Sequence, residues 1–369
     1  MEKTFISEIE NIIKEDFGKE NVKSFLNIPI IQYLIKKTNS ANRGVKTRGS
    51  FANIYAIYVL LEDYITNKFD ETNNYSIYEG AIFTNLYNRQ RELPFGNKLQ
   101  NHAYQGRLNE DFKKYFPLIE SPLLIRDTKM SRYWINENLI IFEDITNMEK
   151  FNLAKTIIKI IEKYIEVKQN SMSNFIEKCN QLKELSNEDI EKVKDFINSL
   201  LNYNVDARLF EIVSYSILKF FYKDKIVFFG YDRENIYEEN LKLYKTGRTN
   251  ANDGGIDFVM KPLGRFFQVT ETTDFKKYFL DIDKIEKFPI TFVVKTMTDI
   301  KVLKEEIEKK AFEIYRVQTV VTDYINSIEE LINIPILIER FKDCIKNNYT
   351  TDILNEIILQ SKVEFHFEN

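Results

Sequence analysis

Histidine and cysteine are scarce in this 369-residue chain, with two of each, and there is one tryptophan. Cys179 and Cys344 are too few for a disulfide framework or a cysteine-rich zinc site. His102 and His366 cannot furnish a His-rich metal centre or a histidine-pair phosphodiesterase. Phosphodiester chemistry on this chain would have to use carboxylates, a metal ion and a lysine. No stretch approaches ~18 uninterrupted apolar residues, so no membrane span and no membrane partner are expected. The start, MEKTFISEIENIIKEDF, lacks the basic opening and apolar run of a secretory signal. The expected compartment is the reducing cytoplasm. A formal net charge of −4 removes any global attraction to nucleic acid, so binding of that kind must rest on local clusters.

What is present is ordinary globular material, 44% hydrophobic and 29% charged, at a length that suggests two domains. Residues 1–203 read as a mostly helical domain. Helices are expected at 4–17, 21–37, 51–69 and 77–93, with a long one from Met148 to about Leu185 whose candidate break is near Gln169–Ser173. Arg132 to Phe142 reads as strand or hairpin, and the single tryptophan, Trp134, as a packing residue. Ser186 and Asp189 have capping-box spacing at the start of another helix. The Asn-rich stretch Asn202–Asn204 marks the expected boundary with a second domain, 204–369.

Two clusters in the first domain suit DNA. TNSANRGVKTRGS sets Arg43, Lys46 and Arg48 beside small residues with no acid, as close approach to phosphates requires; a solvated loop is the plain alternative. Farther on, Arg89, Gln90, Arg91, Asn101 and Arg107 surround the turn Pro94-Phe95-Gly96. Arg, Asn and Gln are the side chains that pair with base edges in the major groove. A polar helical hairpin facing water explains the same pattern without DNA.

From Asp206 the pattern changes. A helix at 207–222 precedes strands at 225–229, 241–245, 256–260 and 265–270. A helix at 274–287, a strand at 290–294, a helix at 300–314 and a strand at 317–321 follow, then helices at 327–347 and 351–360. Strands alternating with helices after a hairpin imply a mixed α/β fold with a central mixed sheet flanked by helices. The near-apolar ITFVV and VQTVV read as buried parallel strands.

Within TGRTNANDGGIDFVMKPLGRFFQVTE, Asp257 sits between apolar neighbours and so faces away from them. Gln268 and Thr270 share one face of the next strand. Asp257 and Gln268 can flank one point, and Mg²⁺ accepts one or two carboxylates with other oxygens completing the shell. Glu211 is a carboxylate on a helix apolar almost all round, costly unless coordinated or paired with a Lys or Arg. Arg248 could clamp a phosphate, although a surface arginine is the commoner explanation.

A Glu-bearing helix, GGIDF, a strand ending in Q-x-T and a β-α-β unit together resemble the PD-(D/E)XK nuclease core, in the version of the Mrr-like branch. SANRGVKTRGSFANIYAIYVLLEDYI, LPFGNKLQNHA, TGRTNANDGGIDF and GRFFQVTE resemble the HaeII-type family of type II restriction endonucleases. The resemblance implies a Mg²⁺-dependent enzyme, commonly a homodimer, cutting double-stranded DNA at a short palindrome. A cognate DNA methyltransferase would belong to the same system without being a bound subunit. It further implies that Glu211, Asp257 and Gln268 hold the ion and that position 270 carries the lysine that orients water; Glu271 would add a carboxylate if the strand ends or bulges there. That position is Thr270. A replacement is sought at Lys261 first, then at Lys245 or Lys276. A nuclease fold that binds DNA without cutting, or one that cuts modified or branched DNA, are the alternatives.

Overall fold

In the computed structural model, residues 5–42, 47–72, 75–144, 149–185, 189–230, 232–246, 256–271 and 274–365 are described here. Two compact units emerge. The first is Met1–Phe175, which also takes in Phe365–Asn369, and the second is Ile176–Glu364. The division falls inside one 31-residue helix, Ala154–Glu184, which runs without the interruption expected near Gln169–Ser173. It therefore lies upstream of Asn202–Asn204, and the helix Ile190–Leu200 belongs to the second unit. Asp189 caps that helix by accepting the Lys192 N–H at 3.2 Å, while Ser186 lies outside the described residues.

The first unit is organised on the helix Thr47–Thr66. Ile54, Tyr55, Ala56, Ile57, Leu60 and Leu61 are all fully buried, so the helix is enclosed on every side and not on one face alone. Helices Ile6–Phe17 and Pro29–Asn42 contribute Ile9, Ile13, Ile30, Ile31 and Leu34 to the same core. A small antiparallel sheet orders Ala81–Ile82, Arg132–Ile135 and Leu124–Asp127, and a separate hairpin joins Ile141–Asp144 to Glu149–Asn152. Trp134 packs over Gly80 and donates its indole N–H to the Tyr78 carbonyl at 2.8 Å, the structural role its sequence context suggested.

The second unit contains a five-stranded mixed sheet in the order Ile328–Ile332, Ile290–Val294, Arg265–Thr270, Phe258–Lys261, Lys242–Lys245. The last three form an antiparallel meander. The strands Arg265–Thr270, Ile290–Val294 and Ile328–Ile332 run parallel. Ile290, Phe292 and Val294 share one side with Phe266 and meet Tyr278, Phe279, Leu303 and Ile307 from the helices Phe275–Lys284 and Ile300–Tyr315. On the other side Phe267 meets Phe258 and Tyr222 at ring-centroid distances of 6.4 and 6.2 Å, the latter from the helix Ala207–Tyr222. Helices therefore cover both faces, which is why the central strands are apolar throughout.

Two expected strands differ. Ile226–Phe229 pairs only with Tyr237–Asn240, as a two-stranded ribbon outside the main sheet. VQTVV opens the helix Gln318–Asn326, with Val317 as its extended N-cap residue, because Val321 and Tyr324 lie at helical spacing and both face the core. The sheet position is taken by Ile328–Ile332, expected to be helix. There Leu331 and Ile332 are buried, and the acids of IEELI meet arginines: Glu329 and Glu330 lie 3.1 and 2.6 Å from Arg265, and Glu330 also pairs with Arg340. Among the described residues no helix is long and apolar enough to cross a membrane.

Candidate functional site

The helix Ala207–Tyr222 opens with Asp206 as N-cap, accepting the Arg208 N–H at 2.9 Å. Its apolar residues Phe210, Ile212, Val213, Ile217 and Leu218 are fully buried, which leaves Glu211 at the margin of the core, half-buried. Its carboxylate lies 2.9 Å from the ammonium of Lys245, the last residue of the sheet's edge strand, and both side chains are 15% exposed. The ion pair that offered the alternative reading of Glu211 is thus present, and its partner is one of the lysines considered as a replacement for position 270.

Asp257 lies just before the strand Phe258–Lys261. Its backbone is fixed on both sides: its N–H donates to the Phe267 carbonyl at 2.9 Å, and its own carbonyl accepts the Thr246 N–H at 2.9 Å. Its side chain reaches past the end of the ladder, where Oδ2 accepts the Val269 N–H at 2.7 Å. Burial pushes the Asp257 carboxyl well above its ordinary range, and the negative charge of Glu211 pushes the same way. The Val269 N–H and the Lys245 charge oppose them, and Asp281 adds a further upward push. Glu211, Asp257 and Lys245 therefore form one electrostatic unit.

Gln268 follows Phe267 on the next strand. Its Nε2 donates weakly to the Val269 carbonyl at 3.4 Å, and its Oε1 is shielded from water with no hydrogen-bond partner among the described residues. A buried acceptor without a donor costs about 1–3 kcal/mol, so this oxygen is suited to a cation. Thr270 shares the Phe266 face and hydrogen-bonds the phenol of Tyr278, so no charge stands at that position. Glu271 is held by Lys295 at 2.6 Å.

Lys295 is a residue that the sequence reading missed. It follows the apolar strand Ile290–Val294, is 3% exposed, and donates its N–H to the Thr270 carbonyl at 2.9 Å. Its ammonium contacts Glu271 and the Val205 carbonyl. A lysine closing a run of five buried residues was the available signal. Lys261 stands at the far end of the strand that Asp257 precedes, roughly 13 Å away at about 3.3 Å per residue, with its ammonium over the Tyr244 ring. Lys276 is exposed on the helix Phe275–Lys284. Lys245, not Lys261, is the lysine beside the carboxylates.

The residues chosen for base reading fare unequally. Gln90 is fully buried, and both its amide heteroatoms lack partners among the described residues, so it cannot reach a base from this position. Arg89 is held by two parallel hydrogen bonds to Glu62, each 2.8 Å, which contact with a base would break. Arg91 is exposed and donates to the Asn97 carbonyl at 2.9 Å. Asn101 begins the short 3₁₀ turn Asn101–Ala103. Arg107 begins the helix Arg107–Tyr115 and lays its guanidinium against Gly49, where a Cβ would lie 2.5 Å from Nη2. Arg43, Lys46 and Arg248 lie outside the described residues, as does the side chain of Arg48.

Cys179 and Cys344 are buried, which pushes both thiols up to about 12 and disfavours their thiolate forms at neutral pH. Among the described residues no three His, Cys, Asp or Glu side chains come together as a metal cluster, so an ion here would rest on Asp257, Glu211 and the Gln268 oxygen. The chain matches no family model, no curated protein and no solved structure.

Proposed function

We propose that this chain is a Mg²⁺-dependent endonuclease for double-stranded DNA, a type II restriction enzyme built on a PD-(D/E)XK-like core. The observation that carries the proposal is one arrangement. A helix bearing Glu211 precedes an antiparallel meander with Asp257 and Gln268 on adjacent chain segments, and a helix and a parallel strand follow. The donor set is all oxygen, as Mg²⁺ requires, and the unpartnered Gln268 Oε1 and the strained charge of Asp257 both favour a cation between them.

A bound Mg²⁺ would supply charge neutralisation at the scissile phosphate and at the leaving oxygen. The protein's own contribution is positional. Val269 fixes the Asp257 carboxylate through Oδ2, and the edge strand and the first helix bring Lys245 and Glu211 together. In this reading Lys245 supplies the positive charge that Thr270 does not, and its ammonium would bind a phosphate oxygen on leaving Glu211. Action at a short palindrome by a homodimer, alongside a cognate methyltransferase, completes the proposal.

The test is incubation of the full-length protein with plasmid and phage DNA in Mg²⁺. Discrete fragments are expected, and Asp257→Asn should remove cleavage while far-UV circular dichroism stays unchanged. Intact duplex with a mobility shift would instead support DNA binding without cutting, the reading that Thr270 favours. Intact duplex with no shift, or undiminished cutting by Asp257→Asn, would overturn the site.

A further inference from the structure

The ribbon Ile226–Phe229/Tyr237–Asn240 stands outside the five-stranded sheet and exposes large apolar side chains: Phe228 is 70% exposed, Ile236 and Tyr237 57% each, and Ile226 50%. A two-stranded ribbon is marginally stable in water by itself, and a concentration of exposed apolar groups marks a contact surface. Cross-strand register sets Phe228 opposite Glu238, so one face offers an aromatic ring beside a carboxylate. Acids dominate the ribbon and its turn: Asp232, Glu234, Glu238 and Glu239 against Arg233. Glu239 pairs with Lys242 at 3.1 Å, and Glu238 is exposed.

At the base of the ribbon, where Leu241 donates its N–H to the Lys225 carbonyl at 2.8 Å, opens a groove of about 600 Å³. Its lining includes Phe220, Leu241 and Tyr244 together with Lys219 and Lys223. Glu356 holds Lys219 at 2.7 Å. The exposed Lys223 places its ammonium over the rings of Tyr349 and Phe220, at 4.6 and 5.4 Å. The groove also holds Asp224, whose carboxylate accepts the Tyr349 hydroxyl at 2.6 and 2.7 Å, so its rings and the Lys223 cation are what complement the ring beside a carboxylate on the ribbon. The ribbon does not fill its own groove, since Phe228 stays the most exposed of its large apolar side chains.

We infer that a second copy of this chain covers this surface, each ribbon docking in the groove of the other protomer, with Phe228 against Phe220 and Tyr244 and Glu238 against Lys223. A two-fold contact needs both complementary surfaces on one chain, and one unit carries both. The acidic excess of the ribbon disfavours DNA as the occupant, because phosphates would meet like charge. The homodimer is already part of the proposed function; the inference adds the surface that forms it, and a chain that dimerises through this surface yet leaves DNA intact would separate the two.

Sedimentation and light scattering of the full-length chain over a concentration series test it. The wild type should reach twice the 44.0 kDa chain mass. Phe228→Glu, Glu238→Lys and Lys223→Glu change exposed side chains and should each weaken association by about tenfold or more, with circular dichroism unchanged. Glu238→Lys combined with Lys223→Glu should restore the dimer, which a loss of local structure would not do. A wild type that stays monomeric, a dimer indifferent to all three changes, or a double variant no better than the single ones would overturn the inference. So would a loss of DNA affinity at unchanged mass, which would assign the surface to nucleic acid.

Discussion

Asp257 is where the energetics of the site are most exposed to measurement. Its carboxyl is pushed upward on folding, first by burial and then by Glu211. The stability this group contributes is therefore full below its unfolded value of about 3.9 and is lost as pH rises through its higher folded value. In metal-free buffer Asp257→Asn should be more stable than the wild type at pH 7, and the gain should shrink toward pH 4. The amide oxygen can still accept the Val269 N–H. Urea unfolding across that range reads the difference, and equal stabilities at pH 7 would show that the charge is not disfavoured. Mg²⁺ should raise the wild-type midpoint more than that of the variant. The sequence made Glu211 conspicuous because a carboxylate on an apolar helix needs a partner. It did not say which lysine, because that depends on the edge strand ending alongside the helix.

At the scale of elements, the strands Arg265–Thr270 and Ile290–Val294 were legible to the residue, because alternation and an unbroken apolar run each fit one slot in a covered sheet. The exchange between VQTVV and IEELI was not legible. A short run rich in β-branched side chains, such as VQTVV, fits strand or helix, and two glutamates in a strand make sense only beside Arg265 and Arg340. The hairpin that joins Asp257 to Gln268 turns through Gly264 at φ 67°, where a Cβ would meet nothing within 4 Å. Gly264→Ala should therefore cost only the left-handed backbone penalty, about 1 kcal/mol, and Gly264→Asn less. Thermal melts of the two variants decide it. Equal costs would mean that the turn relaxes out of that conformation.

For the molecule as a whole, two units mean two cores, and the first contains a flaw that the base-reading assignment concealed. Gln90 is fully buried with an amide that has no partner among the described residues. Gln90→Met keeps the volume and removes the unmet polar atoms, so it should stabilise the first unit by about 1–3 kcal/mol. Trp134, the only tryptophan, lies in that unit, and its fluorescence during urea unfolding reports the change. A transition unmoved or shifted to lower urea would show that the amide is satisfied in solution. The Glu211–Lys245 contact also bears on the order in which a working complex would assemble. With Asp257 ionised, two carboxylates and one ammonium leave a single negative charge, with Gln268 adding none, and that is the state burial and Glu211 disfavour until a cation is bound. In the proposed nuclease that charge would repel a phosphodiester until a divalent cation offset it. Cation and DNA would then depend on each other for entry, each raising the other's affinity by the same factor.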